Sequence, residues 1–299
     1  MNLIGANTWI WVSPLTDERL AAVAPRVRDM GFDAIELPIE DPDDWDPGRA
    51  AELLGELGLG ATTCAVMPAT RDLVVENPLV VASTQAYLRR CVRIAARVGA
   101  GVVGGPIYAP VGRTWLLDPD DRRRTIARLV EALKPAAEDA AANGVVLGIE
   151  PLNRYETSLV NTVEQALEIV EAVDSPGCGV QVDTFHMNIE EKDIGAAIRA
   201  AGPRLAHVQV CGNDRGAPGN DHIDWPAVAA AVLDTGYAGP ICIESFTAEN
   251  RTIATAASIW RPLERSQDAI ATDGLAHLRR VLADVASTRS SEHGAGRPT

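Results

Sequence analysis

Short apolar runs and amphipathic stretches alternate along the whole chain. The amphipathic stretches carry apolar residues at helical spacing, as in Leu20, Val23 and Val27. The apolar runs are rich in Val, Ile and Gly, and eight of them resemble strands, at residues 3–7, 33–37, 60–66, 101–104, 145–150, 177–183, 205–210 and 240–244. Strands that alternate with helices are typical of a parallel sheet, so this pattern predicts the α/β class.

Glycine recurs where a predicted helix meets the next strand, in MGFDAIEL, LGLGATTC, VGAGVVGG, NGVVLGIE and TGYAGPICIE. Glycine at such a joint commonly ends the helix. Eight units in unbroken order favour a closed (β/α)8 barrel, or TIM barrel, over a doubly wound open sheet. We therefore predict a single barrel domain over residues 1–286 and a polar, disordered tail over residues 287–299.

Composition narrows the class of protein further. The chain has 27 basic and 41 acidic side chains and a net charge of −14. Because phosphate contacts need clustered Lys and Arg, we expect no nucleic-acid partner. No apolar run approaches the roughly 18 residues of a membrane span, and the N-terminal segment lacks the pattern of a signal peptide. The five cysteines are scattered and predict neither a disulfide framework nor a metal site, so we expect a cytoplasmic protein.

Candidate chemistry lies at the ends of four consecutive predicted strands. Glu150 closes GVVLGIE, Asp183 closes CGVQVD, Gln209 lies in LAHVQV and Glu244 closes GPICIE. Neighbouring members are about one βα unit apart in sequence. Since the carboxyl ends of parallel barrel strands form one rim, and this rim carries catalytic groups, we expect the three carboxylates and the amide to meet there.

Longer passages around these residues carry a family resemblance. GIEPLNRYET, VQVDTFHMNIEE and HVQVCGNDRGAPG, followed by ICIESF, resemble the sugar isomerase/epimerase TIM barrels, which include the D-tagatose and D-psicose 3-epimerases. The resemblance is strong over about residues 145–246. Before that it rests on the order of the strand and helix units and on strand-end residues such as Asn7, Glu36 and Cys64. It implies that Glu150 and Glu244 are paired acid/base residues and metal ligands, and that Asp183 is a third ligand.

The same resemblance implies a set of substrate contacts. Glu156, His186 and Arg215 match positions that hold sugar hydroxyls or the carbonyl oxygen in the ketohexose epimerases. Trp115 is a further candidate, because an aromatic ring suits a sugar face or an aromatic substituent. The implied partner is a small-molecule sugar or glycoside, and members of the family are commonly homo-oligomers.

One position departs from the family pattern. The fourth metal ligand of the epimerases is a histidine two residues after another histidine, and here the passage His207-Val208-Gln209 places an amide at that position. Period-two alternation puts His207 and Gln209 on one face of the strand, with His207 one pleat deeper and expected to be a packed core residue. An oxygen ligand from Gln209 would give an all-oxygen site, which predicts Mn²⁺ or Mg²⁺ rather than Zn²⁺ or Co²⁺.

Three functions remain open on the sequence. The first is a metal-dependent sugar isomerase/epimerase, which removes a proton next to a carbonyl and stabilises the resulting enediolate with the cation. The second is a C-glycoside deglycosylating enzyme, a carbon–carbon lyase acting on 3-oxo sugars, since the HVQVCGNDRG passage is also similar to catalytic subunits of that kind. Such subunits work with a smaller partner chain. The third is a sugar-binding barrel without activity.

Overall fold

Eight parallel strands close into a barrel in the computed structural model, which describes residues 2–294. Each strand pairs with its neighbours in sequence, and the last returns to the first. The strands are β1 Ile4–Asn7, β2 Ala34–Ile39, β3 Gly60–Ala65, β4 Val102–Gly105, β5 Val146–Ile149, β6 Cys178–Asp183, β7 Leu205–Val210 and β8 Ile241–Ile243. The predicted TIM barrel, in one domain, is confirmed.

Helices surround the barrel and cover its outer apolar face. They are α1 Asp17–Asp29, α2 Pro47–Leu57, α3 Pro78–Val98, α4 Pro119–Ala142, α5 Val163–Val173, α6 Thr184–Glu190, α7 Ile194–Ala201, α8 Trp225–Asp234, α9 Arg251–Ala256 and α10 Gln267–Gly294. Short α6 follows β6 directly, and short α9 follows β8 after a seven-residue segment, both at the carboxyl end of the barrel. These two helices therefore lie beside the rim that the sequence analysis identified.

Local sequence sets where several helices begin and end. At the start of α2, the Asp46 carboxylate accepts hydrogen bonds from the backbone N–H groups of Gly48 and Arg49, at 2.8 and 2.9 Å. Pro47 occupies the first helical position, where a missing N–H costs nothing. Gly58 ends the helix with φ of 65°, a left-handed conformation that glycine adopts without a Cβ clash. The predicted role of glycine at this joint is confirmed.

The barrel interior is unusually polar towards its carboxyl end. Strand alternation points a series of polar side chains inward, and all are at most 3% exposed: Glu36, Thr62, Gln181, Asp183, His207 and Gln209. In the pairing of β6, β7 and β8, Asp183 lies opposite Gln209, and Gln209 lies opposite Cys242. A buried polar group needs a hydrogen-bond partner, so these side chains have to satisfy one another.

The end of the chain differs from the sequence expectation. Helix α10 continues beyond residue 286, where the disordered tail was predicted to begin, and reaches Gly294. Its last part is tied to α8, because Arg289 donates hydrogen bonds to Asp234 and to the Ala230 carbonyl. The remainder of the predicted tail, residues 295–299, lies outside the described residues. Within residues 2–294 no helix has the length and apolar character needed to cross a membrane.

Candidate active site

The structure brings the four strand-end residues together at the carboxyl mouth of the barrel. Glu150 directly follows β5, Asp183 ends β6, Gln209 lies in β7, and Glu244 directly follows β8. All four are at most 5% exposed. Asp183 also caps α6, since its Oδ1 accepts a hydrogen bond from the Phe185 backbone N–H at 2.9 Å. This cap fixes the Asp183 side chain at the rim.

Arg215, from the loop after β7, links two of the carboxylates. Its Nη1 donates to Asp183 Oδ2 and, at 3.1 Å, to Glu244 Oε2. The guanidinium also lies over the rings of Phe185 and Phe246, at 4.1 and 4.8 Å from their centroids. The Arg215 backbone has φ of 71°, an uncommon conformation for a residue with a Cβ. A strained backbone that places a buried guanidinium against two carboxylates is typical of a functional site.

His186, on α6, completes this cluster, and donors face both of its ring nitrogens. The Asn153 backbone N–H donates to Nδ1 at 3.1 Å, and Arg215 Nη2 lies 3.0 Å from Nε2. Nε2 lies 3.7 Å from Glu150 Oε1 and 3.9 Å from Asp183 Oδ2. Burial, and then the charge of Arg215, lower the pKa of His186 well below its ordinary value. The ring is therefore neutral, and it lines the cavity beside Arg215.

Negative charge exceeds positive charge in the cluster. Burial raises the pKa of Glu150 well above its ordinary value, and the nearby charges of Glu244 and Asp183 raise it further. Burial also raises the pKa of Glu244, although Arg215 opposes this. Ligand atoms of Glu150, Asp183 and His186 lie within 4.8 Å of one another. Buried carboxylates that outnumber their counter-charges form a donor set that fits a hard divalent cation.

Gln209 is oriented differently from the sequence expectation of an oxygen ligand. Its Oε1 accepts a hydrogen bond from Gln181 Nε2 at 2.6 Å, and its Nε2 donates to Glu36 Oε2 and Glu244 Oε1, at 2.7 and 3.0 Å. The NH₂ group, not the oxygen, therefore faces the carboxylates. His207 is fully buried with its Nε2 against Glu36 Oε1, in agreement with its expected role inside the barrel.

A cavity of about 330 Å³ opens above the cluster. Four of its lining residues, Glu150, Glu244, His186 and Arg215, are those just described, and Glu156 also lines it. The rest of the wall is largely apolar and includes Trp9, Val66, Met67, Leu152, Phe246 and Ile253. A ligand in this cavity would meet polar groups at its floor and apolar groups around its upper part.

Trp115 is not among the residues that line this cavity. Its ring stacks under the Arg113 guanidinium, whose carbon lies 4.3 Å from the ring centroid, and its backbone N–H donates to Ser158. Trp9, in the turn after β1, provides the aromatic wall instead. The long segment between β4 and α4 gave no sequence period from which the direction of Trp115 could be inferred.

Sequence reasoning assigned no role to several buried polar residues beneath the rim. Glu36 and Gln181 belong to the strands AIELPI and CGVQVD, and Asn7 ends the first strand. A lone acid inside an otherwise apolar strand was the available signal for Glu36, because such a group is rarely buried without partners. Asn153 had no comparable signal, since its contact with His186 joins two separate loops.

Comparison with known proteins agrees with the site. Residues 24–281 match the family described as xylose isomerase-like TIM barrel. The chain is 34% identical over 279 residues to a probable ketose 3-epimerase of Synechocystis sp., covering 93% of this chain and 96% of that protein. It is 33% identical over 273 residues to the L-ribulose 3-epimerase of Mesorhizobium japonicum, covering 91% of each.

A solved structure of L-ribulose 3-epimerase superposes on the whole chain with a TM-score of 0.90 at 32% identity, and the match covers 100% of both chains. These similarities confirm the predicted class of enzyme, a sugar isomerase/epimerase. Together with the closed parallel barrel and the carboxylates at its mouth, they establish the family: the chain belongs to the xylose isomerase-like TIM-barrel proteins.

Proposed function

We propose that this protein is a ketose 3-epimerase that uses Glu150 and Glu244 as its acid/base pair. The observation that carries the proposal is the position of these two glutamates. They come from strands β5 and β8, which do not pair with each other, and both line the same cavity. Burial raises the pKa of both carboxyls, which makes each a stronger base once it is ionised.

The reaction needs a base on one face of the sugar and an acid on the other. One glutamate removes the proton from the carbon next to the carbonyl, and the electron pair moves onto the carbonyl oxygen to give an enediolate. The second glutamate returns a proton to the same carbon from the opposite face, which inverts it. Such positioned groups contribute about 10²–10⁴-fold each to the rate.

Donors on the cavity floor would hold the sugar oxygens during this exchange. His186 lies beside Arg215, whose Nη2 is 3.0 Å from the His186 Nε2. Arg215 presents a guanidinium between Asp183 and Glu244. Glu156, whose Oε1 accepts a hydrogen bond from Asn153 Nδ2 at 2.8 Å, would accept from a sugar hydroxyl. A cationic donor aimed at one oxygen stabilises negative charge that develops there.

A divalent cation is part of the proposal. Glu150, Asp183 and Glu244 would hold it, and Mn²⁺ or Mg²⁺ suits a site of carboxylate oxygens. When bound, such a cation lowers the energy of charge on neighbouring substrate oxygens. The excess of buried carboxylates over counter-charges supports its presence.

The charges around the cavity favour a free ketose over a phosphorylated one. Among the described residues lining the cavity, Arg215 and His186 are the basic ones, and Arg215 is engaged by two carboxylates. Four glutamates line the same space: Glu40, Glu150, Glu156 and Glu244. A phosphate dianion would be repelled by this wall. We further propose a cytoplasmic homo-oligomer, as the sequence analysis expects.

A second candidate, carbon–carbon bond cleavage in a 3-oxo-C-glycoside, is favoured by the upper wall of the cavity. Trp9, Met67, Phe246 and Ile253 form an apolar surface that would suit an aromatic substituent on the sugar. Both functions begin with the same proton removal, so the two differ in the fate of the enediolate: it is reprotonated in the first and expels the aglycone in the second. In this second case a small partner chain would complete the enzyme.

A substrate panel separates the two candidates. Protein stripped with EDTA and reloaded with Mn²⁺ is mixed in D₂O with free ketopentoses and ketohexoses, with their phosphates, and with 3-oxo-glycosides. We expect deuterium at C3 of a free ketose and formation of its C3 epimer, both read by NMR. Release of aglycone from a 3-oxo-glycoside without ketose exchange would favour the second candidate. No exchange with any carbonyl sugar would contradict both.

A further inference from the structure

The amide of Gln209 stands where the family resemblance places a histidine ligand. Gln209 is 1% exposed and lies beside Asp183 in the strand pairing, so its side chain has one direction available, into the barrel. Amide oxygen can coordinate a cation, whereas an amide NH₂ group cannot. The role of Gln209 therefore depends on which end of the amide faces the carboxylates.

The oxygen end is occupied by Gln181. Gln181 Nε2 donates to Gln209 Oε1 at 2.6 Å. Gln181 is fully buried and reaches this position over Gly104, where a Cβ would lie 1.7 Å from the Gln181 amide oxygen. A side chain at position 104 would displace Gln181, so this glycine makes room for the donor that engages Gln209.

The NH₂ end is occupied by two carboxylates. Gln209 Nε2 donates to Glu36 Oε2 at 2.7 Å and to Glu244 Oε1 at 3.0 Å. Turning the amide by half a rotation would place its oxygen against both carboxylate oxygens. Two donor–acceptor contacts would become repulsions between acceptors, which is costly in a buried site.

The Glu36 carboxylate cannot turn away from Gln209, because other donors hydrogen-bond to both of its oxygens. Asn7 donates to the same Oε2 at 2.8 Å, and Thr62 donates to Oε1 at 3.2 Å. His207 Nε2 also lies against Oε1. A carboxylate surrounded by donors from β1, β3 and β7 remains an acceptor, and the amide that faces it must present its NH₂ group. Glu36 thus sets the orientation of Gln209.

We infer that Gln209 is a positioning residue, which holds Glu244 through its NH₂ group and contributes no oxygen to the cation. Glu244 Oε1 is engaged by Gln209, so Oε2 is the oxygen presented to Arg215 and the cavity. The cation would depend on Glu150, Asp183 and Glu244. The statement about the cation rests on the proposed function, whereas the contacts among Gln209, Glu36 and Glu244 do not.

Crystals of the full chain, grown with EDTA and soaked in MnCl₂ or left metal-free, test both statements. Cation–oxygen bonds are about 2.0–2.6 Å long, and we expect every Gln209 side-chain atom to lie beyond about 3 Å from manganese. A Gln209 atom at bonding distance would overturn the inference. Failure of manganese to bind would overturn the proposed cation instead. In that case the metal-free crystal tests the positioning role. A Gln209 NH₂ group within hydrogen-bond distance of Glu36 and Glu244 would support that role, and a Gln209 side chain that contacts neither carboxylate would refute it.

Substitution in solution gives an independent test. Gln209→Met keeps the length of the side chain and removes its hydrogen bonds. We expect the Mn²⁺ dissociation constant from calorimetry to rise by about 10–100-fold, as for loss of an outer partner of a ligand, and kcat to fall while KM changes little. Asp183→Ala, the ligand control, should lose binding altogether. Equal losses in the two variants would contradict the inference.

Two further variants sharpen the result. Gln209→His introduces a nitrogen ligand, so it should keep cation binding and shift preference from Mn²⁺ towards Zn²⁺, Co²⁺ or Ni²⁺. Glu36→Gln should reproduce part of the loss in kcat, and combined with Gln209→Met its effect should be less than additive, because both act on Glu244. Strictly additive effects would mean that Glu36 does not act through Gln209.

Discussion

Two groups of buried acids lie next to each other in the barrel, joined by Gln209, and the pKa of Glu36 is shifted in the opposite direction from the pKa values of Glu150 and Glu244. The inner group is Glu36, with donors on both carboxylate oxygens from Asn7, Thr62 and Gln209, and with His207 beside it. Although burial alone would raise the pKa of Glu36, the charge of His207 and the hydrogen bonds lower it. This acid is ionised and satisfied by the protein itself.

The outer group is Glu150, Asp183 and Glu244 at the mouth. Its one guanidinium, that of Arg215, contacts Asp183 and Glu244 but forms no ion pair with Glu150, and burial raises the pKa of Glu150 and Glu244. Burial is nearly the same in the two groups, so the difference comes from partners. A buried acid surrounded by donors organises structure, whereas a group of buried acids at a cavity with too few counter-charges is prepared for a ligand.

The largest expected effect comes from removing a carboxylate of the outer group. Asp183→Ala should lose bound Mn²⁺ and measurable turnover, because Asp183 stands between Arg215 and His186 at the centre of the cluster. Metal content is measured by mass spectrometry. Asp193→Ala is a matched control, since Asp193 also caps a helix, α7, but lies on the surface. Unchanged metal content in Asp183→Ala would show that the site is wrongly assigned.

The next effect separates chemistry from cation binding. Glu150→Gln and Glu244→Gln each keep an oxygen that can face a cation but remove the group that accepts the proton. Each should lower kcat by about 10²–10⁴-fold while much of the Mn²⁺ is retained. Exchange of substrate C–H with D₂O, followed by NMR, reports the proton transfer directly. Exchange at the wild-type rate in both variants would exclude the glutamates as bases and leave His186 as the nearest candidate.

Stability of the metal-free protein distinguishes the two acid groups most directly. Glu36→Gln should lower the free energy of unfolding by about 1–3 kcal/mol, because donors from Asn7 and Gln209 would face an NH₂ group. Glu150→Gln should raise it at neutral pH, because a folded carboxyl with a raised pKa lowers the stability of the folded state at every pH above the ordinary carboxyl range, and a neutral amide avoids that cost. Urea denaturation of EDTA-treated protein measures both. Changes of the same sign would remove the distinction.

The smallest effect concerns pH. Where a folded carboxyl has a raised pKa, the folded state holds its proton more tightly than the unfolded chain, and a cation must displace that proton. Mn²⁺ affinity should therefore increase as pH rises above the ordinary carboxyl range, by up to about tenfold per pH unit for each proton displaced. Calorimetry in buffers of different ionisation enthalpy counts the protons. An affinity independent of pH between about 5 and 7 would argue that the outer acids are already ionised.

Residues at strand ends were predictable and residues in long loops were not. Glu150, Asp183 and Glu244 follow apolar runs of regular spacing, so their place on one rim follows from the closure of a parallel barrel. Trp115 lies in a segment with no period, and the structure turns it onto Arg113. Helix α10 likewise continues past residue 286, and the contact of Arg289 with Asp234 on α8 has no signature in local sequence.

Sequence by itself determined the fold class, the number of βα units and the identity of the rim residues, because these depend on local periodicity and on the chirality of parallel βα connections. It also showed that an amide replaces the expected histidine at position 209. Only the tertiary structure decided what that amide does. Whether Gln209 presents oxygen or NH₂ to Glu244 depends on Glu36 and Gln181, which come from other strands, and hydrogen bonds between distant strands exist only after the barrel has closed.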